Sequence, residues 1–207
     1  MARSTDFISV NASVSEEVIQ SIKDLDNNSL IMRLHFTVHH LSRWLTPIHD
    51  RNKLERSRHY GEPTVRDLVI LMRENEQFIY PRMFVIANEN DPDMDQLPAH
   101  EPNASQRMAD KNWSTVELMG GFRRLRQSTC GLLRQMPDGA WSRKGFSRVH
   151  EGASMRELAE QLAEHDYRVL RAMDFTLTDS GARDNIADIQ TWSLDELLKL
   201  GPKTLKI

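Results

Sequence analysis

A single cysteine, Cys130, stands among 207 residues, so no disulfide can form within the chain. That usage fits a reducing compartment. Charge of one sign is also missing: 27 Lys+Arg against 30 Asp+Glu leaves −3. Such a balance removes the electrostatic case for nucleic acid or an anionic membrane as a partner. No apolar run approaches the length of a membrane span, and the opening residues, MARSTDFISVNAS, carry no apolar signal core. The expectation is a cytoplasmic protein, for which the Asn-x-Ser triplets at Asn11, Asn103 and Asn112 carry little meaning. Glycine-rich phosphate loops, nucleophile elbows, cysteine-based zinc patterns and His-Glu-x-x-His are all lacking.

What is present is helical periodicity. Leu30, Leu34, Val38, Leu41, Leu45 and Ile48 recur every three or four residues, predicting a helix from Ser29 to about Ile48. Thr64 caps a second, with Asp67 at the capping-box position and Val65, Leu68, Val69, Met72, Ile79, Tyr80 and Met83 on one face. Pro81 should kink it or free one carbonyl. Ser114 and Glu117 form a capping box for a third, with Leu118, Phe122, Leu125, Leu132 and Met136 as its stripe and Thr129 in the missing slot. Arg123, Gln127 and Arg134 lie opposite that stripe, with Arg124 and Arg126 nearer its flanks. Gly120-Gly121 suggests a close neighbour. Ser154 and Glu157 open a fourth, whose inner face holds Met155, Leu158, Ala159, Leu162, Val169, Leu170 and Met173.

Shorter segments complete the chain. Ser13 or Ser15 caps a helix ending at Asp26-Asn27-Asn28. Residues 89–110 read as a long surface crossover with room for one helical turn, and Trp141, Phe146 and His150 as a loop over one bundle end. Ser193 and Glu196 cap a final helix from Leu194 to Leu200, closed by Gly201-Pro202. Four long amphipathic helices describe an all-α four-helix bundle, residues 29–178, with helical extensions at 1–28 and 179–207.

Two carboxylates break the apolar faces. Asp166 lies mid-face on the fourth helix with His165 at its edge, and Glu76 sits between Met72 and Ile79 on the second. A carboxylate aimed at a core must be paired, protonated or bound to something. Glu76, Asp166 and His165 are therefore the pocket candidates. An arginine partner for Glu76, or an interior ion pair at Asp166, is the structural alternative. His35 and His39, spaced i, i+4, could clamp a metal, but they point away from the apolar centre and read as an exposed polar face. Cys130, near apolar neighbours, reads as a buried small residue.

The succession TVRDLVILMRENE, a proline-bearing crossover, STVELMGGFRRLR and GAWSRKGFSRVHEGASMRELAEQLAEHDYRVL resembles the DinB/YfiT-like superfamily over roughly residues 29–175. The resemblance implies an antiparallel four-helix bundle and a homodimer. It also implies a divalent metal held by three histidines, one on the second bundle helix and two on the last. Those positions fall here on Leu71, His165 and Val169, so only His165 keeps a donor. A stable site needs about three protein ligands, and the expectation is that no metal cofactor is held. A substitute would join His165 to Glu76 or Asp166 and suit Zn, Ni or Mn. Adjacent helix residues diverge by about 100°, however, which separates His165 from Asp166. The expected function is a small-molecule-binding or interaction module. The alternative is a metal-dependent thiol transferase or isomerase with a site rearranged around His165.

Overall fold

The computed structural model describes residues 13–57, 59–97, 104–148, 152–186 and 192–198. Its helices are α1 (Glu16–Lys23), α2 (Asn27–Leu45), α3 (Arg51–Leu54), α4 (Val65–Asn88), α5 (Ala104–Asn112), α6 (Thr115–Gln135), α7 (Met155–Asp179) and α8 (Leu194–Leu198). No β-strand occurs among the described residues, and no helix there is long and apolar enough to cross a membrane.

Local chemistry starts each long helix. In α4, α6 and α7 the reciprocal capping boxes Thr64/Asp67, Ser114/Glu117 and Ser154/Glu157 form in full. Each satisfies two backbone N–H groups that would otherwise have no intrahelical partner. The start of α2 differs from the sequence reading: Asp26, not Ser29, is the cap, and its carboxylate accepts the Ser29 N–H at 2.7 Å. Asp26 therefore begins α2 instead of ending α1, which stops at Lys23. Ser15 precedes α1 without a side-chain cap bond. Helix α4 runs on through Pro81 to Asn88.

The core divides into two apolar layers. One gathers the C-terminal half of α2 (Val38, Leu41, Trp44, Leu45), the N-terminal halves of α4 (Leu68, Met72) and α6 (Leu118, Phe122), and the C-terminal half of α7 (Val169, Met173, Leu177). The other gathers the opposite halves, including Leu30, Leu34, Ile79, Met83, Cys130, Leu133, Ala159 and Leu162. The pairing fixes direction: α2 and α7 run one way, and α4 and α6 the other. Helices α2 and α4 each pack against both α6 and α7. Two neighbouring pairs, α2/α6 and α4/α7, are therefore antiparallel, and the parallel pair α4/α6 needs a connection that travels the length of the bundle.

That connection holds more structure than the sequence suggested. Besides a 3₁₀ turn at Met94–Gln96 it forms α5, a nine-residue helix. Its anchor is Asp110, 5% exposed, whose carboxylate meets the buried Arg73 guanidinium at 2.6 Å. Arg66 Nη2 donates to the carbonyls of Asp110 and, at 2.9 Å, Trp113. A Cβ at Gly121 would meet the Arg73 side chain at 3.5 Å and one at Gly120 the Arg124 guanidinium at 3.7 Å, both ordinary contact distances, so no close neighbour requires glycine at either position. Further along, Trp141 is buried as expected, but Phe146 is half exposed and held by backbone bonds to Pro92 and Met94. His150, residues 1–12 and Gly201-Pro202 lie outside the described residues.

Both extensions contribute to the core. Ile22 of α1 and Leu194 of α8 are buried in opposite layers. Asp174 ties down the C-terminal segment: it accepts the Leu194 N–H at 2.9 Å and pairs with Arg183 at 2.5 Å, whose guanidinium lies over Trp44. The Trp44 indole N–H donates to the Trp192 carbonyl at 2.8 Å. Leu194→Ala is expected to destabilise the fold by about 2–4 kcal/mol, the usual range for an aliphatic core truncation. A urea midpoint equal to wild type would show that α8 is not part of the cooperative unit.

Candidate functional site

Between the two apolar layers lies a polar one, built by all four long helices. Two carboxylates enter it, Glu76 from α4 and Asp166 from α7, at 0% and 3% exposure. An isolated carboxylate is too costly to bury without a partner. The partner is Arg126 of α6, itself 1% exposed. Its Nε and Nη2 donate to Glu76 Oε2 at 3.0 and 2.7 Å. Its Nη1 and Nη2 donate to Asp166 Oδ2 and Oδ1 at 2.5 and 3.0 Å. Nη1 also reaches the Leu34 carbonyl of α2 at 3.0 Å. The hydroxyls of Thr129 and Thr37 donate to Glu76 Oε1 and, at 2.8 Å, to Asp166 Oδ2. Every carboxylate oxygen has a donor, and the guanidinium lies 4.9 Å over the Phe122 ring.

Electrostatics follow from this geometry. Although burial opposes the charge on Arg126, the facing Asp166 and Glu76 raise its pKa above the ordinary arginine value. One guanidinium against two carboxylates leaves a negative excess. Arg33, one turn before Thr37 on α2, faces it: burial lowers the Arg33 pKa, and attraction to Asp166 opposes that shift. His40, 8% exposed, lies on the same helix. Burial first, then Arg43, His39 and Arg33, push its pKa from 6.5 to about 4, with Asp166 pulling the other way.

The sequence candidates separate clearly. Glu76 and Asp166 are brought together, but by an arginine that the sequence reading placed on the flank of α6. Of that stripe Leu118, Phe122 and Thr129 are buried, but Leu125, Leu132 and Met136 are half-buried, whereas Arg126 and Leu133 are inside. Two inward carboxylates without a cation were the available signal for Arg126. Tyr80 is likewise only half-buried, and Arg73 takes the inner place. His165 is half-buried beside Asp166, Val169 is fully buried in the apolar layer, and Leu71 packs against that layer from its edge. Cys130 is buried, and burial raises its thiol pKa to about 11, so it is a poor nucleophile. His35 and His39 lie on the outer side of α2, with His39 exposed.

Metal binding is testable on these donors. Among the described residues no group of three His, Cys, Asp or Glu side chains is placed to hold an ion. The positions that the resemblance assigns to three histidines, Leu71, His165 and Val169, present two hydrocarbon side chains and one imidazole. The oxygens of Glu76 and Asp166 are occupied by Arg126 and the two threonines. These residues do not fit a divalent ion without displacing Arg126. A groove of about 280 Å³ between α1 and α7 is lined by Ile19, Ile22, Lys23 and three glutamates. Those carboxylates serve the Ser154 cap and the Arg156 and Arg168 pairs.

Two outcomes follow. Arg126→Met strands two buried carboxylates and should destabilise the protein by about 3–5 kcal/mol. Replacing Glu76 and Asp166 by Leu in the same chain should recover most of that loss; equal stability of both variants in urea would contradict the network. For His40, the folded state rejects a proton that the unfolded chain accepts below its ordinary value of 6.5. Stability should therefore fall between pH 6.5 and 4, by roughly 3 kcal/mol from this group. His40→Gln should remove that component, read as a smaller difference between urea midpoints at pH 7 and 4.5 than in wild type.

No protein-family model matches the chain, and no curated protein is similar to it in sequence. Solved structures are similar in fold. One is YfiT from Bacillus subtilis, a probable metal-dependent hydrolase with an unusual four-helix bundle topology. It superposes with a TM-score of 0.61 at 16% identity, covering 82% of this chain and 91% of that one. Another is a mycothiol-dependent maleylpyruvate isomerase, with a TM-score of 0.52 at 15% identity, covering 82% of this chain and 68% of that one. The chain has the four-helix-bundle fold of YfiT, as its sequence led one to expect.

Proposed function

We propose that this chain is a DinB-like bundle that has lost the three-histidine metal site and serves as a small-molecule-binding or interaction module, assembled as a homodimer. One observation carries the reading: a permanent guanidinium occupies the place between Glu76 and Asp166, and their oxygens are taken. A divalent ion entering there would have to displace a cation that cannot lose its charge at any physiological pH. Leu71 and Val169 support the same reading, because neither offers a lone pair. YfiT is described as metal-dependent; the residues of this chain favour a scaffold that keeps the fold while its centre serves stability.

The competing possibility is a metal-dependent transferase or isomerase with donors rearranged around His165, recruiting Glu76 or Asp166. The two separate in one experiment. Tag-free protein is stripped with EDTA, loaded with Zn²⁺, Ni²⁺ or Mn²⁺, desalted and assayed for metal. The expected result is that His165→Ala leaves the retained metal unchanged. A tightly held equivalent that disappears in His165→Ala would establish the rearranged site.

A further inference from the structure

The outer side of α2 carries a feature that the buried network does not use. His35 and His39 are one helical turn apart, and their Nε2 atoms share a hydrogen bond of 3.2 Å, one ring donating and the other accepting, so a cation bound between them would take the place of the shared proton. The rings meet edge to face, with centroids 4.9 Å apart and planes at 71°. Phe36 packs against the His39 ring at 5.9 Å between centroids. The backbone beneath is held in place, because the Leu34 carbonyl and the Thr37 hydroxyl on the same two turns are bonded into the polar layer. The histidines are thus displayed on a rigid element, next to solvent that can supply further ligands.

Bite distance is the decisive quantity. With Zn–N bonds of about 2.0–2.1 Å, two nitrogens on a tetrahedral ion lie roughly 3.3–3.4 Å apart, and cis nitrogens on an octahedral one roughly 2.8–3.0 Å apart. The observed 3.2 Å falls between these limits. We propose that His35 and His39 form a two-histidine chelate for a late first-row divalent cation, with water completing its coordination. Imidazole donors and the general order of affinities place Cu²⁺ first, above Ni²⁺ and Zn²⁺.

Arg134 and Arg123 act on His35 through their charge, and they repel a dication, which keeps the affinity modest and the ion exchangeable. This site is separate from the vacated three-histidine positions, and it holds or fails independently of the function proposed above.

The test uses tag-free full-length protein titrated with Cu²⁺ and Zn²⁺ by calorimetry, with electron paramagnetic resonance on the Cu²⁺ form. One equivalent of Cu²⁺ should bind with two-nitrogen ligation and raise the Tm. His35→Ala or His39→Ala should each weaken binding about tenfold or more, because a lone imidazole loses the chelate. His49→Ala, at another exposed histidine, and His165→Ala should leave it unchanged. Cu²⁺ binding that is unaltered in both His35→Ala and His39→Ala, or absent in wild type, would overturn the assignment. Loss confined to His165→Ala would overturn it too, and would also refute the proposed function.

Discussion

A buried guanidinium between two buried carboxylates is the constraint on which this fold turns. Arg126 joins α6 to α4 through Glu76, to α7 through Asp166, and to α2 through the Leu34 carbonyl. Each group would be very costly to bury alone, and together they are fully bonded. The layer therefore acts on relative position more than on total stability, since an apolar replacement of similar volume is often as stable. A helix that slid by one turn would leave a charge without its partner. Apolar layers above and below tolerate such slips far better, because aliphatic contacts are not directional.

The parallel arrangement of α4 and α6 follows from the same packing and sets the character of the rest of the chain. It requires a connection along the whole bundle, and that connection is held by charge as well. Asp110 reaches the buried Arg73, and Arg66 holds the two carbonyls at the junction of α5 and α6. At the far end Asp174, Arg183 and Trp44 hold the C-terminal segment in a similar way. Arginine–carboxylate pairs fix the loops just as Arg126 fixes the bundle.

Which parts were legible in the sequence reflects this division of labour. Helices α2 and α7 were readable because most of their buried positions are apolar and recur at three- and four-residue spacing. The three capping boxes were readable because each bond lies within four residues of chain. Helix α6 was legible at Leu118, Phe122 and Thr129 but not at Arg126, since an arginine in a stripe looks like solvent exposure until its two carboxylates are counted. Helix α5 was missed because its sequence, ASQRMADKN, has no apolar stripe and depends on Arg73, 37 residues before Asp110. At the candidate site, Glu76 and Asp166 were visible as intrusions on apolar faces. Their common partner was not, because nothing local links the three positions.

The central claim is that Arg126 engages Glu76 and Asp166 so fully that neither carboxylate is free to take a metal ion between α4 and α7. Anomalous diffraction from crystals soaked in Zn²⁺ or Mn²⁺, recorded at the absorption edge, examines it most directly. The account predicts no anomalous density inside the bundle and an Arg126 guanidinium still bonded to both carboxylates. A strong peak coordinated by His165 with Glu76 or Asp166, and Arg126 swung aside, would contradict it.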